Sequence, residues 1–237
     1  MINRAIKFYT LVGLFALGAA MPSASMAALI SASVGGVPSG AGTYLNFDSL
    51  GATGGAAGGG VTVAFSGTGA GTAHLPNLSG QYAAPFISGG NGVPFGNSQA
   101  DGQDMTQYLV TGIGEVILQL GGYNEYFGLL WGSVDSYNTL SFYDGSTLLF
   151  NFSGFDVDSL AHGDQGAAGT YYVNINSSTP FNKVIAASSG YSFEFDNVAL
   201  SRDPIQRPIN AVPEPGTLAL LGLGLLGGIV ARRRRAK

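Results

Sequence analysis

Few side chains in this 237-residue sequence could do nucleophilic or soft-metal chemistry. There is no cysteine, and the two histidines, His74 and His162, lie in glycine-rich segments. Thiolate catalysis, zinc–thiolate sites and iron–sulfur clusters are therefore excluded. Ser98, in Gly96-Asn97-Ser98-Gln99-Ala100, is one residue away from a Gly-x-Ser-x-Gly elbow. It lacks the strand-to-helix setting that would expose a nucleophile. What remains is oxygen chemistry, carried by 14 Asp and Glu residues. Paired carboxylates can hydrolyse glycosides only at a fixed separation, which spacing in sequence does not set. Binding a hard cation asks less. Asp156, Asp158 and Asp196, with Asp135 and Asp164, offer the oxygen ligands that calcium prefers. There is no EF-hand loop: the Asp156 segment lacks the third acidic position, the central glycine and the final Glu. The alternative is that these carboxylates are solvated and cap turns as Asx residues. Beyond this possible calcium, no cofactor is expected.

A second inventory suits sugars, which stack on aromatic faces and hydrogen-bond to amides and carboxylates. Tyr123, Tyr126, Trp131 and Tyr137 fall within 15 residues of Asn124, Asp135 and Asn138. Phe127, Leu129 and Trp131 share one strand face, so Trp131 is expected in the core. Tyr123 and Tyr137, beside turn residues, are the expected glycan contacts, together with Asn138.

These residues need elements to hold them, and the composition points to strands. Half of the 38 glycines fall between Gly35 and Gly102. That stretch predicts loops with short strands at Tyr44–Asp48 and Val61–Phe65. Denser strands are predicted at Tyr108–Thr111, Glu115–Leu120, Tyr126–Trp131, Thr139–Tyr143, Leu148–Phe152, Tyr171–Asn176, Asn182–Ala187 and Tyr191–Leu200. Asp144-Gly145, between two apolar runs, predicts a hairpin, because the tight turn needs residues that tolerate positive φ. In the last strand Tyr191, Phe193 and Phe195 alternate with Ser192, Glu194 and Asp196. The expected fold is all-β: one antiparallel β-sandwich, jelly-roll-like, over residues 28–200. Residues 201–212, with two prolines, read as a stem.

The two ends differ from the middle. Arg4 and Lys7 precede an apolar run from Phe8 to Ala20, and Ser25-Met26-Ala27 supplies small residues for cleavage. Residues 1–27 therefore read as a signal peptide for the Sec translocon. At the other end, Pro213-Glu214-Pro215 precedes sixteen uncharged residues, Gly216 to Ala231, and then Arg232, Arg233, Arg234, Arg235 and Lys237. As a helix the run would be about 24 Å long, marginal for a hydrocarbon core of roughly 30 Å. The basic residues should stay cytoplasmic and fix the topology. Between Ala28 and Ala231 three basic residues face fourteen acidic ones, a balance of −11. Such a domain should repel nucleic acid and anionic membranes.

The tail from Pro213 to Lys237 resembles the PEP-CTERM sorting signal of Gram-negative bacteria. The resemblance implies recognition by exosortase, a membrane-embedded cysteine transpeptidase-like enzyme, and cutting near Pro213, Glu214 and Pro215. It also implies transient anchoring in the inner membrane through residues 216–231. Tyr126–Gly145, Tyr171–Ile175 and Phe193–Leu200 look like segments of exosortase-dependent surface proteins. Tyr44–Leu50 and the closing FDNVAL resemble the first and last strands of carbohydrate-binding jelly rolls. The resemblances imply a non-enzymatic protein of the cell surface or exopolysaccharide matrix, with a structural or adhesive role. The alternatives are a lectin-like glycan- or calcium-binding module and, third, a glycosidase.

Overall fold

The computed structural model describes residues 30–34, 36–37 and 39–205. The expected signal peptide, the expected span at 216–231 and the Pro-Glu-Pro triplet lie outside the described residues. No helix among the described residues is long and apolar enough to cross a membrane.

The chain is almost entirely antiparallel sheet, as the composition predicts. In order the strands are β1 (Ile30–Val34), β2 (Thr43–Leu45), β3 (Gly55–Gly58), β4 (Val61–Thr68), β5 (Gly71–Ala73), β6 (Phe86–Ile87), β7 (Gly102–Gln103) and β8 (Tyr108–Val110). Then come β9 (Ile113–Gly132), β10 (Asn138–Asp144), β11 (Thr147–Ser153), β12 (Tyr171–Ser188) and β13 (Glu194–Ser201). Eleven of them form one hydrogen-bonded sheet, and β6 pairs only with β7.

Two long strands organise this sheet. The sequence predicts a break in each, at 121–125 and at 177–181, but both chains run through. The reason is that the two interruptions face each other. Asn176 pairs with Tyr126 and Phe181 with Asn124, and the β9–β12 register shifts on both sides of Phe181. Gly121-Gly122 on one strand and Pro180 on the other weaken the ladder at one level, so the pair bends together instead of ending. One half of the sheet holds β3, β4, the start of β9, the end of β12, β10 and β11. The other holds β1, the start of β12, the end of β9, β13, β2, β8 and β5.

The two halves share one core. Val116, Leu118, Phe142 and Val184 from the first meet Phe127, Leu129, Trp131, Phe193 and Phe195 from the second. Phe127 meets Phe142 edge to face at 5.5 Å, and Trp131 stacks on Phe193 at 4.2 Å. Each such pair adds about 0.5–1.5 kcal/mol beyond the buried area. The predicted alternation of β4 is visible: Val61 and Val63 are buried, Thr62 and Ala64 exposed. The predicted hairpin is present too, with Asp144 opposite Thr147 and Gly145 at φ +56°.

The second half is also buried on its outer face. Tyr126, Leu130, Tyr172 and Ala199 there are covered by Ile87 and Phe95, and Tyr108 and Val110 by Ala84. The cover is the segment 74–107. It is pinned by hydrogen bonds from the Phe86 N–H to Thr170 Oγ1 (3.1 Å) and from Asn46 Nδ2 to the Phe95 carbonyl (2.9 Å).

Candidate functional site

β13 places a row of polar groups beneath that cover. Phe193, Phe195, Val198 and Leu200 belong to the main core. Strand alternation sends Glu194, Asp196 and Ala199 to the other face. The row is kept in phase by a bulge. Asp196 pairs with Leu130 and Ala199 with Gly128, so three steps on β13 match two on β9. The extra residue is Asn197, at φ +54°, a region that Asn tolerates better than most side chains.

Asp196 is fully buried, and neither carboxylate oxygen has a hydrogen-bond partner. Asp104, also fully buried, comes within side-chain hydrogen-bonding reach of it. Asp104 hangs from the cover, its N–H donating to the Pro85 carbonyl at 2.8 Å. Its Oδ1 accepts from Asn97 Nδ2 (3.0 Å), the Thr106 N–H (2.9 Å) and Thr106 Oγ1 (2.7 Å). Its Oδ2 accepts nothing. The Asn197 amide is buried with both polar atoms unpaired. Burial pushes the Asp196 carboxyl well above the usual carboxylate range, and the charge of Asp104 adds to this. Asp48 is raised as well, first by burial and more weakly by Asp104. Its turn is tied to this region by Gln107, whose Nε2 donates to the carbonyls of Phe47 (2.7 Å) and Leu50 (2.9 Å).

Glu194 sits one pleat along. Its Oε1 accepts from the Ala83 N–H and from Ser192 Oγ, each at 3.1 Å. Burial outweighs these donors and lifts its carboxyl to about 7. A cavity of about 60 Å³ lies between Glu194, Ser133, Asp135 and Tyr191. That is far below the roughly 300–1,000 Å³ of small-molecule pockets.

The residues expected from sequence are dispersed. Tyr137, about a third exposed, has its hydroxyl 2.6 Å from Asp135 Oδ2 and 2.9 Å from the Tyr191 carbonyl. Tyr123, half exposed, donates to Asp144 Oδ1 at 2.8 Å. Tyr137 immediately precedes β10 and Asp144 ends it, so the two tyrosines stand at opposite ends of that strand. Asn138 is fully buried, accepting from Ser188 Oγ at 2.8 Å. Tyr123 borders a polar groove of about 490 Å³ with Asn124, Arg202 and Asp203. Trp131 is in the core.

Asp156 closes a capping box with Ser153, accepting from its N–H (2.7 Å) and Oγ (2.8 Å). Asp158 accepts from the Leu160 N–H and from the Tyr171 hydroxyl, both at 2.8 Å, and these two bonds lower its pKa. Asp196 instead acts on Tyr172. Adjacent residues of one strand point to opposite faces, so Asp158 and Asp196 serve opposite faces of the sheet. Among the described residues, no group of three or more His, Cys, Asp or Glu side chains could hold a metal. Asp104 and Glu194 escaped the sequence reading. The alternation around Phe193 and Phe195 put Glu194 and Asp196 on one face, but nothing in the sequence said that this face is covered.

The comparisons speak to the opposite end of the chain. Residues 211–235 match the family described as the PEP-CTERM protein-sorting motif. The chain carries a PEP-CTERM sorting signal. The match takes in Pro213, Glu214 and Pro215, the uncharged run and Arg232–Arg235. A PEP-CTERM signal marks a chain for export to the cell surface and implies exosortase as its processing partner. No curated protein and no solved structure matches the chain.

Proposed function

We propose that the protein is a non-enzymatic component of the cell surface or exopolysaccharide matrix, with a structural or adhesive role. The Sec translocon exports it, residues 216–231 hold it briefly in the inner membrane, and exosortase cuts it near Pro213–Pro215. The folded sheet, a jelly-roll-like sandwich in this reading, is what remains outside. The observation that carries the proposal is the PEP-CTERM motif placed behind a β domain of strongly acidic balance. The carboxylates beside the small cavity, Asp135 and Glu194, have no room between them for a sugar ring, which favours a structural role over glycoside hydrolysis.

Two variants test the route. Glu214→Ala, or replacement of Pro213 and Pro215, should leave uncut precursor in the inner membrane. Normal surface delivery of these variants would remove the exosortase reading. Neutral residues at Arg232–Arg235 should weaken membrane retention, because those charges hold the tail on the cytoplasmic side. Unchanged fractionation would make the uncharged run the whole anchor.

A second reading, glycan binding, is favoured by Tyr123 at the rim of the polar groove with Asn124, Arg202 and Asp203. A glycan array on the exported chain tests it. A hit lost in Tyr123→Ala but kept in Tyr137→Ala would place the sugar there.

A further inference from the structure

Asp104 and Asp196 meet where nothing balances them. The Lys and Arg among the described residues are Lys183 and Arg202. Lys183 lies 4.5 Å from the Tyr143 ring centre, and Arg202 borders the Tyr123 groove. Five polar atoms are left buried and unpaired: Asp104 Oδ2, both oxygens of Asp196 and both polar atoms of the Asn197 amide. Burying one charged carboxylate without a partner is costly, and two in contact are worse. Three donors already hold Asp104 Oδ1, which leaves Oδ2 as the oxygen still to be satisfied.

We propose that one calcium ion binds between Asp104 and Asp196 and ties β13 to the cover formed by residues 74–107. The two carboxylates supply charge that the ion balances. The amide oxygen of Asn197 and backbone carbonyls at the bulge extend the set, so every available ligand is a hard oxygen. Calcium accepts six to eight oxygens in irregular arrangements, whereas magnesium demands an octahedron and keeps several waters, which suits a fully buried place less well. Asp196 is retained from the expected calcium ligands, while Asp156 and Asp158 are replaced by Asp104 from another element. The cover needs such a tie. Its strands β6 and β7 are two residues each and pair only with each other.

The test uses the full-length chain, purified in mild detergent and stripped with EGTA. Calcium is added in calorimetry and in thermal melts, with magnesium at equal ionic strength as the control. One calcium per chain is expected. At about 100 times Kd the melting temperature should rise by roughly 5–10 °C, with a smaller rise for magnesium. Terbium, a calcium mimic, should show tyrosine-sensitised luminescence that calcium displaces, because Tyr172 lies close enough to sense Asp196. Asp196→Asn should abolish both signals while melting above stripped wild type, since its amide can donate to Asp104 Oδ2. That pair of outcomes separates loss of the site from loss of the fold. Asp104→Asn should also abolish binding. If it does not fold, Asn97→Ala, which removes one of the three donors that orient Asp104 through Oδ1, should weaken calcium binding roughly 10–100-fold. A double Asp156→Asn, Asp158→Asn variant should bind as wild type does. No calcium binding, equal shifts with magnesium, or binding that survives Asp196→Asn would overturn the proposal and leave the two carboxyls sharing a proton.

Discussion

Along β13 two rows of side chains are buried on opposite faces, and they differ in what holds them. Phe193, Phe195, Val198 and Leu200 face the main core, which draws residues from both halves of the sheet. Glu194 and Asp196 face the cover, where short strands and loops close over carboxylates. The first row is stabilised by apolar area and ring contacts. The second is buried because its neighbours are apolar, and it carries the burial as raised pKa values and unpaired oxygens. A bulge at Asn197 keeps the rows apart. Without the extra residue, every side chain after it would change face.

The largest expected effect breaks the first row. Phe193→Ala should cost about 3–5 kcal/mol in urea unfolding, because it empties the place stacked on Trp131. A loss below about 1 kcal/mol, the scale of surface changes, would mean that this face is not core.

The second row should show itself in pH. The Glu194 carboxyl is raised on folding from its ordinary 4.5 to about 7. The folded state therefore holds the proton more tightly than the unfolded chain. Its stabilisation is complete below 4.5 and is lost as pH rises through about 7. That amounts to about 3 kcal/mol over the window, with stability falling as pH rises. Glu194→Gln should reduce the slope between those limits, leaving the part that Asp196, raised in the same sense, contributes. A curve that rises over that range would contradict the burial of this carboxylate.

Smaller effects sharpen the contrast. On the covered face, Tyr126 donates to Asn174 Oδ1 at 2.8 Å. Tyr126→Phe should cost about 1–3 kcal/mol by leaving that buried oxygen short of a donor. Ser153→Ala removes an exposed helix cap and should cost about 1 kcal/mol in the same assay. Tyr123→Phe loses only the exposed bond to Asp144 and should stay within about 0.5 kcal/mol of wild type. A larger loss there would give Asp144 a structural role that its exposure does not suggest.

Most strands were legible in the sequence because local rules decide them. Alternation marked β4 and β13, and Asp144-Gly145 marked the β10–β11 turn. The breaks predicted in β9 and β12 were wrong for a reason that is not local. Gly121-Gly122 and the Ser177–Pro180 run each look like a strand end taken alone. Only their placement opposite each other turns two ends into one bend. β1 was not expected at all, and it exists through its pairing with β12.

The chemistry divides in the same way. The expected ligands Asp156, Asp158 and Asp196 are alike in sequence. Asp156 became a cap, Asp158 a partner of Tyr171, and Asp196 a buried group facing Asp104. Asp104 and Asp196 lie far apart in the chain, so no spacing rule could have joined them. Asn138 reads as a sugar contact beside Tyr137, but its amide is spent inside the fold on Ser188.

By itself the sequence determined the sorting signal and the fold class. A Pro-Glu-Pro triplet, an uncharged run and a basic end act in linear order, so the PEP-CTERM signal needs no tertiary structure to be read. All-β architecture followed from alternation and turn residues, which are also local. Tertiary structure alone decided which face of a strand is covered, which acids lose their water and which distant carboxylates meet. Those outcomes depend on long-range pairing and on a bend shared by two strands, and the free energy of a charge depends on what surrounds it more than on its neighbours in the chain.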